Sequence, residues 1–389
     1  MKVSRKKKNK GSSTQAKGKR RFLRSFGWMY KIILNTATVI MLILFIVSAY
    51  SDLVSPQKSV VFAYLGLGFP IIVVLNFICL ILQLFARRWL FVTLIIIGII
   101  VCIGPLWRYC PMHPLTDIPK DGDVVKLLSY NVMGFGYRSH SSQKPNKIIE
   151  YIAASGADIV CLQEYLVYDN GVMMSSEELA KSLPMYPYIS ETPLGTHSKN
   201  HKYGLALLSK FPITKTRPVP LISQFNGSVI YHLNVHGKNL VLVNNHLESF
   251  KLTIEDRSKI SSGVLETLLP DGFGKMIQQK LGQAFCIRAT QADVISDMLR
   301  SEKGGYYVIA CGDFNDTPMS YTHHVFSDFL NDAYTETGLG PGISYNQNRF
   351  YFRIDHIFHS ATIEAYNCRV DRSIFDSDHF PISCTLKLK

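Results

Sequence analysis

The chain contains no Cys-X-X-Cys pair and no closely spaced cysteine framework, which argues against a zinc ribbon, a dithiol redox centre or a disulfide-stapled scaffold. Cys79 and Cys102 lie in long apolar runs, and Cys161 and Cys311 lie in hydrophobic stretches that read as buried strands, so all four are expected as plain core thiols. Spacing assigns no partner to Cys110, Cys286, Cys368 or Cys384. Acidic residues are missing altogether from Met1 to Lys31, where twelve Lys or Arg stand. A basic excess is missing from the rest, since from Tyr109 onward 26 basic side chains face 28 acidic ones. The formal net charge of +13 is therefore a property of the tail. The remainder lacks the surplus expected of a domain that grips a polyanionic backbone. No internal repeat or low-complexity segment interrupts residues 124–389.

Formal charge is also absent from three long hydrophobic runs, Ile32 to Tyr50, Val60 to Phe85 and Trp89 to Trp107. Each is near the roughly 20 apolar residues that a helix needs to cross a hydrocarbon core of about 30 Å. Residues 32–107 are thus expected to be a three-helix transmembrane anchor that contacts the bilayer. The basic leader is too long for an ordinary signal peptide, and two further runs follow it. Basic residues are concentrated in the tail and recur at Arg87 and Arg88, while the Ser51 to Ser59 loop has only Lys58. By the positive-inside rule the tail and second loop are cytoplasmic, and everything after Trp107 is extracytoplasmic. In a bacterium this would be the plasma or inner membrane. Residues 1–31 read as a disordered cytoplasmic tail near anionic headgroups, and the proline-rich residues 108–123 read as a linker.

Beyond the linker, short β-branched runs alternate with helical patterns. Val124 to Val132, Ala157 to Gln163, Tyr203 to Ser209, Ser228 to Val235, Leu240 to Asn245, Tyr306 to Ala310, Phe350 to Phe358 and Ile374 to Leu388 read as strands. Lys147 to Ser155 reads as a helix, as does most of Leu252 to Arg300 with a break at Pro270 to Gly274. A polar residue repeatedly stands where an apolar strand stops: Asn131, Glu164, His246, Asp313 with Asn315, Asp355, and Asp378 with His379. One Asx residue after a strand is usually a turn former, but this set combines hard oxygen donors with imidazoles. Oxygen donors suit Mg²⁺, with Mn²⁺ as a substitute, and the lack of a Cys/His cluster argues against structural zinc. Phosphoester hydrolysis needs this equipment: charge neutralisation, a base for water, and donors for the developing charge.

The segments LSYNV, CLQE, HLE, GDFND, RIDHI and SDHFP resemble, in order, the strand-end motifs of the endonuclease/exonuclease/phosphatase superfamily. This group includes DNase I, apurinic endonucleases, inositol polyphosphate phosphatases and neutral sphingomyelinases. The resemblance runs from about Val124 to the C-terminus and does not cover the membrane third. It implies a four-layer α/β sandwich over residues 124–389, two mixed β-sheets flanked by helices, preceded by the three transmembrane helices. By this similarity Glu164 is the main metal ligand, with Asn131 and Asp378 on the metal or its waters. Asp313 orients or deprotonates the attacking water, and Asn315 holds a phosphate oxygen. Asp355 and His379 look like the family's carboxylate-histidine pair, and His246 resembles the second histidine of the nuclease and sphingomyelinase branches.

Two further positions carry a double reading. Tyr203 sits where some relatives place a phosphate-contacting tyrosine, although an aromatic opening a strand is commonly packing. Arg353 precedes Asp355 by two and would share its strand face, as a substrate contact or a structural ion pair. The Thr253 to Gly282 segment is longer than the pattern requires and reads as a lid, a membrane-surface contact or a longer helical connection. The expected activity is hydrolysis of a phosphate ester by direct water attack, on a lipid headgroup or other extracytoplasmic substrate. An anchored endo- or exonuclease acting on nucleic acid is the alternative, and a non-enzymatic binding module retaining the fold is a third reading. No obligate protein partner is evident.

Overall fold

The computed structural model describes residues 11–119, 122–140, 144–168, 174–195, 200–253, 255–256, 272–302, 307–347 and 350–389. The chain divides into two compact units, one of Met1–Ser48 with Gly68–Ile103 and one of Ala49–Leu67 with Gly104–Lys389.

In the first unit a helix spans Gly11–Ala49. Residues 11–31, expected to be irregular, are therefore helical: Ala, Gln, Lys and Arg are good helix formers and an apolar helix follows them directly. The first ten residues lie outside the described ones. Within this helix Gly27–Ala49 is long and apolar enough to cross a membrane. The other two expected spans are not single helices. Each is broken, into Val60–Leu67 with Phe69–Phe85 and into Trp89–Val101 with Ile103–Tyr109, at bends of 61° and 62°. The chain has three spans only if each bent pair crosses as one. Amide side chains tie the helices of this unit together. Gln83 Nε2 donates to Thr38 Oγ1 at 2.9 Å, and Asn76 Nδ2 donates to the Met41 carbonyl at 2.9 Å.

The second unit holds two six-stranded mixed sheets. The first has the order β11(Ile363–Val370), β12(Ile382–Leu388), β1(Asp123–Asn131), β2(Ile159–Tyr168), β4(His201–Ser209), β3(Tyr188–Pro193). The second has the order β5(Ile213–Pro218), β6(Gly227–Val235), β7(Lys238–His246), β8(Tyr307–Asp313), β10(Asp355–His359), β9(Asn331–Asp332). Strand alternation sorts the apolar residues into three layers. Val125, Leu127, Ile159, Cys161, Leu240, Leu242, Ile309, Cys311 and Ile357 meet between the sheets. On the outer face of the first sheet, Leu128, Tyr130, Val160 and Leu162 pack with Ile148, Ile152 and Leu179 of helices Lys147–Ala154 and Ser176–Ser182. On the outer face of the second, Val241, Val243 and Ala310 pack with Ala292, Ile295 and Phe326 of helices Gly272–Ser301 and Tyr321–Ser327. Helix, sheet, sheet and helix thus make the four-layer sandwich expected from the sequence. All eight cysteines are free.

Three details differ from expectation. The 350–358 run is a strand only from Asp355, and the 374–388 run only from Ile382. The helix of the long connection begins at Gly272, inside the expected break. Residues 257–271, which include Leu265 to Leu269 of the extra segment, lie outside the described ones.

Ala49–Leu67 belongs to the second unit. Arg108 and Asp52 form an ion pair at 2.6 Å. Gln57 Nε2 donates to Thr290 Oγ1, and the Tyr64 hydroxyl donates to the Gln278 carbonyl. The Tyr64 ring meets Phe285 edge-on at 5.5 Å. Gly66 lies so close to the Met319 carbonyl that a Cβ there would sit 2.5 Å from the oxygen.

Candidate active site

The inter-sheet stripes change character at one end. Following strand parity, Val125 and Leu127 lead to Ser129 and Asn131, and Leu240 and Leu242 lead to Asn244 and His246. Ile309 and Cys311 lead to Asp313, and Ile357 leads back to Asp355. Register brings these ends side by side, because His246 pairs with Asp313 across β7 and β8 and Asp355 pairs with Asp313 across β10 and β8. The last inward-facing residue of each of these strands is polar, and together they make one floor.

Glu164 arrives differently. The β2 to β4 pairing slips between Leu162 and Tyr165, leaving Gln163 and Glu164 opposite the single residue Leu205. Glu164 has φ 49°, a left-handed conformation rare outside glycine. A bulge of this kind re-aims a side chain at the cost of ladder bonds. Asn244 compensates across the layer, with Nδ2 donating to the carbonyls of Leu162 at 3.1 Å and Ala206 at 3.2 Å. Gln163 Nε2 in turn donates to Asn244 Oδ1 at 2.6 Å.

Around Glu164 the floor is closely connected. Asn131 is fully buried, and its Nδ2 donates to Glu164 Oε1 at 3.2 Å and to Asp313 Oδ2 at 3.0 Å. His246 Nε2 lies 3.8 Å from both carboxylates. His379 Nδ1 meets Asp355 Oδ2 at 2.8 Å, and its Nε2 lies 3.5 Å from Asp313 Oδ2. Ser377 Oγ donates to the Asn131 carbonyl at 2.7 Å, tying the SDH loop to the end of β1. The GDFND turn is held internally: the Asn315 amide donates to Asp313 Oδ1 at 2.8 Å, and Asn315 Nδ2 donates to the Leu247 carbonyl at 2.9 Å. Asn315 is also left-handed, with φ 51°. Beneath it Gly312 has φ 132°, and a Cβ there would sit 2.0 Å from the Asn245 carbonyl oxygen.

Electrostatics separates the roles. Burial pushes the Asp313 carboxyl up to about 6, with Asp355 adding to the rise against His379 and His246. Burial alone would depress the His379 imidazolium, yet Asp355 and Asp313 hold its pKa well above the usual histidine value. His246 is held below its usual value by burial and by the neighbouring His379, against the pull of Asp313. Burial and the nearby Glu164 raise the Tyr203 phenol, so it stays a neutral donor.

The donor set fits a hard divalent cation. Asp378 Oδ1 is buried with no hydrogen-bond partner among the described residues, an expensive state for a carboxylate oxygen unless a cation meets it. It lines the same cavity as Glu164. Asp313, Asp355 and His379 also bring one donor atom each within 4.8 Å of one another, but the His379 to Asp355 hydrogen bond already occupies part of that trio. The carboxylates that face the cavity beside that trio are those of Glu164 and Asp378.

Of the residues expected from the sequence, Glu164, Tyr203, His246, Asp313, Asn315, Asp378 and His379 line one cavity of about 420 Å³. Asn131 and Asp355 stand behind it, bonded to its walls. Arg353 is not brought there. Its guanidinium stacks on the Tyr334 ring at 4.3 Å and donates to the Arg108 carbonyl. The face argument fails because β10 starts at Asp355, so no strand alternation relates residues 353 and 355. Tyr345, not anticipated, stands with its ring 5.1 Å from His379 and lines the cavity. Ser377, Gln163 and Asn244 were also missed, although Gln163 and Ser377 lie inside the motifs CLQE and SDHFP.

Two facing mixed sheets whose strand ends assemble carboxylates and imidazoles define an α/β sandwich of the phosphoesterase and nuclease-like class. Residues 128–379 match the model of the endonuclease/exonuclease/phosphatase family, and the chain belongs to that family. Residues 30–109 match a second model, a domain of unknown function designated DUF8431. Over 316 residues the chain is 25% identical to an inositol phosphosphingolipids phospholipase C of Schizosaccharomyces pombe (strain 972), covering 68% of this chain and 69% of that protein. The catalytic domain of human nocturnin, solved with a bound sulfate anion, is similar in fold, with a TM-score of 0.50 and 17% identity over 71% of this chain and 98% of that one. An endonuclease/exonuclease/phosphatase from Beutenbergia cavernae is 18% identical over 68% of this chain and 72% of that one, with a TM-score of 0.48. Members of the family are generally hydrolases of phosphate esters.

Proposed function

We propose that the protein is a membrane-anchored, divalent-metal-dependent phosphodiesterase or phosphatase that hydrolyses a lipid headgroup phosphoester by direct attack of water. The observation carrying this reading is the lining of the cavity. Its floor has the carboxylates and imidazoles of a phosphoester site, yet none of the described lining residues is Lys or Arg, and most of the wall is apolar. A nuclease draws much of its affinity from Lys and Arg on the phosphate backbone, and the described lining of this cavity has neither. The likeness to a phosphosphingolipid phospholipase C agrees with a lipid substrate.

In this mechanism Glu164 and Asp378 would hold Mg²⁺ or Mn²⁺, and Asn131, whose Nδ2 donates to Glu164, would fix that carboxylate in place of ligating the ion. When bound, the ion supplies charge neutralisation at the phosphoryl oxygens. The chain's own residues do the rest. Asp313, with its pKa near neutrality, takes a proton from water as the water oxygen bonds to phosphorus. His379, kept cationic by Asp355, faces the developing negative charge. As the ester P–O bond breaks, the departing oxygen leaves with the bonding pair and takes its proton from solvent water; neutral His246 stands beside Glu164 and Asp313 on the floor. Asn315 and Tyr203 donate hydrogen bonds to phosphate oxygens. No covalent enzyme intermediate forms.

The test is Mg²⁺-dependent hydrolysis by the full chain in detergent, comparing phospholipid and sphingolipid diesters with single- and double-stranded nucleic acid at two salt concentrations. Lipid turnover that survives salt is expected. Salt-sensitive cleavage of polynucleotide in place of lipid would make the protein an anchored nuclease.

A further inference from the structure

Several walls of the cavity serve no phosphate chemistry. Tyr64 and Leu67 come from helix Val60–Leu67, and Ile277 and Leu281 come from helix Gly272–Ser301. Both helices continue the cavity away from the Glu164 to His379 floor. Their spacing is fixed by the Tyr64 hydroxyl on the Gln278 carbonyl, the Tyr64 ring against Phe285, and the close approach of Gly66 to Met319. A volume of about 420 Å³ falls in the range that takes a drug-sized ligand, about 300–1,000 Å³, and exceeds what a phosphate group alone would use. Apolar wall left against water loses stabilisation that a hydrocarbon occupant would recover. The wall is also sequence-adjacent to membrane: Val60–Leu67 leads directly into Phe69–Phe85, one of the apolar helices that together meet the length and composition of a span.

We infer that Tyr64, Leu67, Ile277 and Leu281 bind the first methylene groups of a hydrocarbon chain on the substrate. The enzyme then selects long-chain phospho- or sphingolipids while the scissile bond lies over the polar floor. The inference rests on the lipid reading above and names the chain segment that enforces it. Helix Val60–Leu67, which opens the second apolar run, is a specificity element of the active site as well as a connection between helices.

The experiment uses the full chain in mixed detergent micelles. Two phosphodiester lipids with the same headgroup, one with hexadecanoyl and one with hexanoyl chains, are compared for kcat/KM, with bis(4-nitrophenyl) phosphate as a chain-free probe. The wild type is expected to favour the longer chain by about tenfold or more, since even one methylene in an apolar pocket is worth roughly that much. Leu67→Gln and Leu281→Gln should each collapse that ratio, and Leu281→Met should keep it. Lipid turnover with no dependence on chain length would overturn this inference and leave the lipid reading standing. Wild-type cleavage of bis(4-nitrophenyl) phosphate and oligonucleotides, without lipid turnover, would sink both. If the Gln variants lower every substrate by the same factor, the wall is structural and the inference fails.

Discussion

Glu164 and Asn315 both sit in left-handed backbone, at φ 49° and 51°; the first is proposed as a metal ligand and the second as a donor to a phosphate oxygen. Such conformations cost about 1–3 kcal/mol each and persist where surrounding structure over-determines them. At Glu164 that structure includes the Asn131 amide on its carboxylate and Asn244 capping the bulge. If Glu164 is the principal metal ligand, Glu164→Ala should raise the Mg²⁺ concentration for half-maximal activity by about tenfold or more, at the scale seen when a metal site loses support. A metal titration of activity reads this directly. His379→Ala should instead lower kcat by roughly 10² to 10⁴ with the metal requirement largely kept; normal turnover would remove the Asp355 and His379 pair from the mechanism. A third residue tests stability. Asp332 is buried, which disfavours its charge, yet His323 and Arg353 hold its pKa well below the usual carboxylate value. A depressed folded pKa stabilises the protein above the unfolded value of about 4 and loses that contribution as pH falls below it. Asp332→Asn should therefore be less stable at neutral pH and show a shallower loss of stability between about pH 4 and 2, measured by denaturant unfolding. His323, Asp332 and His356 also cluster within 4.8 Å. Asp332 already accepts hydrogen bonds from His323, Thr335 and the Tyr334 amide, so that carboxylate is satisfied without an ion.

Among the elements, β8 carries the most: its last two residues, Gly312 and Asp313, open the GDFND turn, and it pairs with both β7 and β10. Gly312 permits this because its φ and its contact with Asn245 leave no room for a side chain. Gly312→Ala should destabilise the domain by about 1–3 kcal/mol, seen as a lowered Tm, and should reduce activity beyond what the loss of folded protein explains. The same level shows what the sequence could and could not reveal. β1, β2, β4, β6, β7 and β8 were legible because each holds a short apolar run, which in β1, β7 and β8 ends on a polar residue. Tyr188–Pro193, Ile213–Pro218 and Ile363–Val370 were not. They stand at sheet edges, with mixed polar and apolar residues and little full burial, so neither alternation nor hydrophobicity marks them. Arg353 was misplaced because the strand was expected from Phe350 and begins only at Asp355. Tyr64 and Leu67 lie in an apolar run whose composition reads as lipid-facing, and nothing local announces a cavity wall. The motifs named the floor of the site; the walls come from parts of the chain far apart in sequence.

For the molecule as a whole, the second compact unit includes Ala49–Leu67 along with the family domain. Removing everything before Tyr109 would delete Tyr64 and Leu67 as well as the apolar helices, so a truncated protein is a poor stand-in for the full chain. The proposed topology has its own test. With basic residues concentrated before the first apolar run and at Arg87 and Arg88, a reporter fused after Lys389 is expected to be active only outside the cytoplasm. Cytoplasmic activity would reverse the orientation and place the substrate on the inner leaflet.

The reactive groups are the terminal members of the stripes that hold the two sheets together, and this bears on how the enzyme can diversify. Drift in the hydrocarbon interior, even a change of one methylene at Leu242 or Ile357, would be transmitted along the strand to His246 or Asp355 as a small displacement. The chemistry is thus expected to be mutationally brittle and inherited nearly whole. Adaptation to new substrates would be confined to the rim, where Phe225, Tyr345 and Leu67 can be exchanged without repacking the strands beneath.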